Sequence, residues 1–143
     1  MVKAVKTITI KALAEKVFDY ISEPTNLPEI WPSVVEIKDV QKLPSGGNRN
    51  RWVYKMAGIL LEGTSEDTEC IPNQRLVSKT KGGAESTITW MFHPEAGGTK
   101  VTFEGEYTVP IPVLGKLAEA IIVKMNDHEV ELILANLKAR MEV

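Results

Sequence analysis

A chain of 143 residues with 43% hydrophobic and 25% charged content has the make-up of one ordinary globular domain, able to bury roughly two-thirds of its chain surface. Its formal net charge is −2 and its basic residues are scattered, which excludes the basic footprint of a nucleic-acid binder. Cys70 is the only cysteine and there are two histidines, so neither an internal disulfide nor a structural zinc site is expected.

The chain goes straight into Val2-Lys3-Ala4-Val5-Lys6 with no apolar signal-peptide core, and no run approaches the ~20 apolar residues of a membrane span. A cytoplasmic protein is therefore the expectation. Residues 3–10 alternate Val, Thr and Ile and predict a first strand. Residues 12–22 switch to a helical period, with Leu13, Val17 or Phe18, and Ile21 on one side. Pro24, Pro28 and Pro32 forbid a long continuation, so residues 26–31 predict only a short second helix. Six strands follow, over 34–43, 49–57, 59–70, 75–81, 85–93 and 99–109. Alternation puts Trp52, Tyr54 and Met56 on one face of their strand, Ile88, Trp90 and Phe92 on one face of theirs, and Val101, Phe103 and Tyr107 on one face of the last. Val35, Ile37 and Leu61 are assigned to the same inward side. Glu62, Glu66, Asp67 and Glu69 are read as an exposed acidic face.

Three Gly-Gly pairs stand between strand segments, where hairpin turns need positive φ. They are turn glycines and not phosphate cradles, since neither G-x-x-x-x-G-K-S/T nor G-x-G-x-x-G occurs. No cofactor is expected. His128-Glu129 is not a zinc motif, because Leu132 stands where the second His of H-E-x-x-H belongs. No nucleophile has an evident base beside it.

After Pro110-Ile111-Pro112, residues 113–141 contain no further proline and favour one helix of about 29 residues, roughly 43 Å long. Its first half is apolar nearly all round. One stripe reads Leu114, Ala118, Ile121, Met125, His128, Leu132, Asn136 and Ala139. A second stripe appears later, with Val130, Ile133, Leu134, Leu137 and Met141. A helix so long and apolar needs a concave partner, and the run of strands offers a curved antiparallel sheet. The order of strand, two helices, six strands and long helix predicts an α+β fold.

That order, with Ala12-Leu-Ala-Glu-Lys-Val-Phe-Asp-Tyr-Ile-Ser-Glu-Pro24 leading to Asn26-Leu-Pro-Glu-Ile-Trp-Pro32, resembles the START-like superfamily of polyketide cyclase/dehydrase, lipid-transport and Bet v 1-type proteins. Ser86-Thr-Ile-Thr-Trp-Met-Phe-His-Pro94 and Gly98-Thr-Lys-Val-Thr-Phe-Glu-Gly-Glu-Tyr107 fit the same pattern, so the resemblance spans essentially the whole chain. It implies a helix-grip fold: a seven-stranded antiparallel sheet curled around the C-terminal helix, an apolar cavity between them, and two short helices closing one end.

The expected cavity wall comprises Trp52, Tyr54, Met56, Leu61, Ile88, Trp90, Phe92, Phe103 and Tyr107 from the sheet, with Leu117, Ile121, Met125 and His128 from the helix. Aromatic and methionine side chains around a residual void are what an apolar ligand site requires. Leu27, Trp31, Ile111 and Leu114 are expected at a portal able to touch a membrane transiently. The favoured reading is a carrier of a hydrophobic small molecule (lipid, isoprenoid or polyketide-like), with polar selectivity from Tyr54, Tyr107, His128 and Asn136. A cyclase or dehydratase using His128 with Tyr54 or Tyr107 as acid/base is the second reading. It requires His128 to face the cavity. The third is a partner-binding module like a co-chaperone, with a filled core and an exposed apolar patch. The residues leave the oligomeric state open.

Overall fold

A computed structural model describes residues 2–56, 58–108 and 115–143, with side chains in the last stretch from residue 119 onward. Strand β1 (Val2–Ile10) is followed by α1 (Ala14–Ser22), a single 3₁₀ turn (Pro24–Asn26) and α2 (Leu27–Ile30). Then come β2 (Val34–Lys42), β3 (Asn48–Met56), β4 (Ile59–Ile71), β5 (Arg75–Gly82), β6 (Ser86–Glu95) and β7 (Gly98–Tyr107), and finally α3 (Gly115–Met141). The expected segments are all present, with ends shifted by a residue or two. The α2 segment is a single turn because proline stands inside it and another follows Trp31.

The seven strands form one antiparallel sheet in the order β1-β7-β6-β5-β4-β3-β2. Sequential hairpins account for β2 through β7, and β1 returns to pair with β7. Strands β1 and β2 therefore lie at opposite edges, and the α1–α2 connection crosses one end of the sheet. The first glycine of each Gly-Gly pair, Gly46, Gly82 and Gly97, takes φ of 94°, 108° and 82°, as the hairpins require. Register shifts break the β2–β3 ladder between Val34 and Glu36 and between Lys38 and Gln41, and the β4–β5 ladder between Asp67 and Glu69. Such bulges bend the strand that carries them, and here they help curl the sheet around α3.

The first bulge corrects one expected face. Val34 is buried and Ile37 also points inward, while Val35 is 52% exposed. The bulge breaks the strict alternation that had paired Val35 with Ile37. Asp67 is a second correction. It lies half-buried on the inner side, accepting hydrogen bonds from the Asn48 backbone N–H at 2.7 Å and the Ser78 hydroxyl at 2.6 Å. Burial pushes its carboxyl pKa above 3.8, with both donors partly offsetting the rise.

The core forms where α1 and the second half of α3 meet the sheet. Val17, Phe18 and Ile21 project from one side of α1, and Phe18 meets Phe92 edge-on at 5.5 Å. From α3 come Val130, Ile133, Leu134, Leu137 and Met141, all buried. This is the later of the two stripes read from the sequence. Described members of the earlier one face solvent: Ile121 is 54% exposed, Met125 53% and Leu132 41%, while Asn136 turns toward α2. The stripe that packs, from Val130 to Met141, is the one without a polar member, and it joins Trp90, Phe92 and Phe103 of the sheet in one core. Lys6, on the β1 edge, bridges to Asp127 and Glu131 of α3 at 3.2 and 3.3 Å on the exposed side of the contact. Among the described residues no helix is long and apolar enough to cross a membrane.

Candidate functional site

Between the concave face of the sheet and α3 lies a cavity of about 160 Å³. Edge-to-face aromatic contacts run along its wall in one chain. Trp52 meets Tyr54 at 6.5 Å, Tyr54 meets Trp31 at 6.2 Å, Trp31 meets Phe103 at 5.5 Å, and Phe103 meets Trp90 at 4.9 Å. Each such pair adds about 0.5–1.5 kcal/mol beyond the area it buries. Trp52 keeps its position because Gly63 lies beneath it on β4. A Cβ at Gly63 would come within 2.3 Å of the Trp52 ring and 2.1 Å of the Lys81 carbonyl oxygen. Ala4 and Gly105, also small, line the cavity on the β1–β7 side.

The helix contributes Asn126, Glu129, Val130 and Ile133. Glu129 carries the main polar feature of the site. One of its carboxylate oxygens accepts from the Trp31 indole N–H at 2.7 Å and from the Tyr54 hydroxyl at 3.0 Å. The other accepts from the Ser33 hydroxyl. Three donors from the α2–β2 link and β3 thus hold one carboxylate from α3, joining helix to sheet at the cavity wall. Burial, reinforced by the Glu129 charge, pushes the Tyr54 hydroxyl pKa far up. Tyr54 therefore stays protonated and serves as a donor. Across the site, burial also raises the Tyr107 hydroxyl pKa; the nearby Asn126 side chain partly offsets the rise without making a hydrogen bond of good geometry to it.

Of the residues expected at the cavity, Trp52, Tyr54, Met56, Ile88, Trp90, Phe103 and Tyr107 line it, and so do Leu27 and Trp31 from the expected portal. Phe92 is buried instead beneath α1, against Phe18. Leu61 pairs with Tyr54 in register but stands clear of the cavity, close to Gly83 at the β5–β6 turn. Ile121 and Met125 face outward, as described above. His128 is 70% exposed at its side chain and lies 3.7 Å from Glu131, another surface residue of α3. The acid/base pair of His128 with Tyr54 or Tyr107 is therefore not formed. Asn136 donates to the Ile30 carbonyl at 3.0 Å, tying α2 to α3 rather than facing a ligand. Ile111 and Leu114 lie outside the described residues, as does the side chain of Leu117.

Glu129 itself was missed in the sequence, where its neighbour His128 drew attention. One signal pointed to it. Stepping back by four from Leu137 and Ile133 lands on Glu129, on the stripe that packs. A carboxylate on an apolar stripe is costly unless paired, and its partners sit 75 to 98 residues away in the chain. Among the described residues no group of three or more His, Cys, Asp or Glu side chains is placed to hold a metal ion.

No curated protein matches the chain. Solved structures do. The crystal structure of TTHA0849 from Thermus thermophilus is 24% identical, with a TM-score of 0.85 over 98% of this chain and 97% of that one. A START superfamily protein from Mycobacterium smegmatis is 16% identical, with a TM-score of 0.81 over 98% and 97%. The Zhui aromatase/cyclase from Streptomyces sp. R1128 is 14% identical, with a TM-score of 0.76 over 97% and 94%. At these identities the likeness is one of fold, the START-like helix grip. The sequence profile for polyketide cyclase/dehydrase and lipid transport proteins matches residues 1–142, and the chain belongs to that family.

Proposed function

We propose that this protein binds a small hydrophobic molecule in the cavity between the sheet and α3, as a carrier or sensor rather than as a catalyst. The observation that carries the reading is the cavity itself: an aromatic-walled void left where one helix cannot fill a curled sheet. Its size narrows the occupant. About 160 Å³ is below the roughly 300–1,000 Å³ of drug-sized sites. It is close to the ~150 Å³ apolar void that accepts benzene. A single ring, or the ring end of a longer molecule, fits this space.

Native mass spectrometry of the purified protein, followed by denaturing extraction, tests the reading. A compound present at one copy per chain, and lost in Val130→Phe, is the expected result. Val130 lines the cavity from α3, so a phenyl ring there fills the space. Retention of the compound by folded Val130→Phe would place the binding elsewhere.

A second reading is a cyclase or dehydratase; one of the structural neighbours is named an aromatase/cyclase. The observation in its favour is Glu129 beside Tyr54 on the cavity wall, a carboxylate and a phenol in one desolvated space. Against it, both carboxylate oxygens already accept from protein donors, and the Tyr54 hydroxyl is already committed to one of them. Turnover of a ring-closing substrate, lost in Glu129→Gln with binding retained, would favour the enzyme.

A further inference from the structure

Three buried side-chain polar atoms have no hydrogen-bond partner among the described residues: Asn50 Oδ1, Trp52 Nε1 and the Tyr107 hydroxyl. All three belong to residues that line this one cavity. Buried polar atoms are overwhelmingly paired in folded proteins, so three orphans on one wall are a feature of the site. Asn50 and Trp52 are two residues apart on the same face of β3. Asn50 also begins a polar row that crosses the sheet in register, Asn50–Ser65–Thr80–Ser86–Tyr107. Within that row Thr80 and Ser86 satisfy one another at 2.6 Å, leaving its two ends unpaired. The Trp52 N–H can only donate, the Asn50 oxygen can only accept, and the Tyr107 hydroxyl can do either.

Charge narrows the choice further. No Lys, Arg or His lines the cavity among the described residues, and the carboxylate of Glu129 does. An anion entering this space would lose its water, gain no counter-charge and lie near a carboxylate. We infer that the molecule held here is uncharged, about one ring in size, and bears a hydroxyl-like group that both donates and accepts hydrogen bonds, while anions of the same shape are rejected. This inference rests on the binding role proposed above.

Three one-ring probes test it, measured by isothermal titration calorimetry and ligand-observed NMR at neutral pH: p-cresol (uncharged, with a hydroxyl), toluene (no polar group) and benzoate (an anion). The expected order has p-cresol binding about tenfold tighter than toluene, the weight of one well-made hydrogen bond, and benzoate weakest. Tyr107→Phe or Trp52→Phe, checked for folding by circular dichroism, should shrink the advantage of p-cresol over toluene. Glu129→Gln should narrow the gap between p-cresol and benzoate. Benzoate binding as tightly as p-cresol would overturn the rejection of anions while leaving the cavity reading intact. Toluene matching p-cresol, with neither Phe variant having any effect, would overturn the role of the orphan polar atoms. Failure of all three probes to bind would overturn the cavity reading itself.

Discussion

Replacing Glu129 by alanine removes the acceptor for three donors at once: the indole N–H of Trp31, the hydroxyl of Tyr54 and the hydroxyl of Ser33. A hydrogen bond to a charged group contributes about 1.5–3 kcal/mol, and an orphaned buried donor costs about 1–3 kcal/mol. These contacts are only partly buried, so water can satisfy some of what is lost. A total of about 3 kcal/mol is therefore reasonable. Glutamine keeps one oxygen to accept from Trp31 and Tyr54, and its amide can donate to Ser33 after the hydroxyl rotates. Its cost should be about 1 kcal/mol, that of exchanging charged for neutral hydrogen bonds. With a urea m-value of about 2 kcal/mol/M, Glu129→Ala should lower the unfolding midpoint by about 1.5 M and Glu129→Gln by about 0.5 M. Equilibrium urea unfolding, followed by tryptophan fluorescence and by circular dichroism, measures both. Equal midpoints for the two variants, or an alanine variant as stable as wild type, would show that the three-donor network does not hold α3 to the sheet.

Other outcomes follow from the same geometry. Gly63→Ala should displace the Trp52 ring and strain the β4–β5 pairing, because its Cβ meets the ring at 2.3 Å and a backbone oxygen at 2.1 Å. A cost of about 1–3 kcal/mol or more is expected, and an unchanged Tm and tryptophan emission would contradict the packing described. Met125→Trp lies on the exposed side of α3 and should leave ligand binding as it is, whereas Val130→Phe should abolish it; the two compared by native mass spectrometry report which face of the helix borders the cavity. Asp67 gives a pH effect of defined sign. Burial raises its carboxyl pKa above the ordinary 3.8, so between the unfolded and folded values the native state keeps a proton that the unfolded chain has released. This group's contribution to stability therefore falls as pH rises through that window and is regained on acidification. Asp67→Asn should flatten that part of the stability–pH curve, and an unchanged curve in urea titrations across that pH range would refute the assignment.

Much of this architecture is written in local pattern. Alternating apolar residues in the strand segments, a switch to a three-to-four period at Leu13, prolines that stop helices, and Gly-Gly pairs at hairpins each act within a few residues. Those rules were enough to give the order of elements, the antiparallel sheet and the inward faces of β3, β6 and β7. They also placed Trp52, Tyr54, Ile88, Trp90, Phe103 and Tyr107 around one space. What they could not decide was the rotation of α3 about its own axis. Two apolar stripes were available, and helical period alone ranks them equally. Contacts made across the whole chain settled it: the packing of Val130, Ile133, Leu134 and Leu137 into the core, and Trp31, Ser33 and Tyr54 with Glu129. A rotation of about 100° per residue is why His128 turns to solvent while its neighbour Glu129 turns inward. The bulge at Val34–Glu36 acted likewise on β2, sending Val35 outward where alternation had it facing in. The chain by itself determined which elements form and which faces are apolar, because those depend on neighbours in sequence. Which polar atoms stand paired and which stand orphaned on the cavity wall was decided only by tertiary structure, because their partners, or the lack of them, come from strands and helices far apart in the chain.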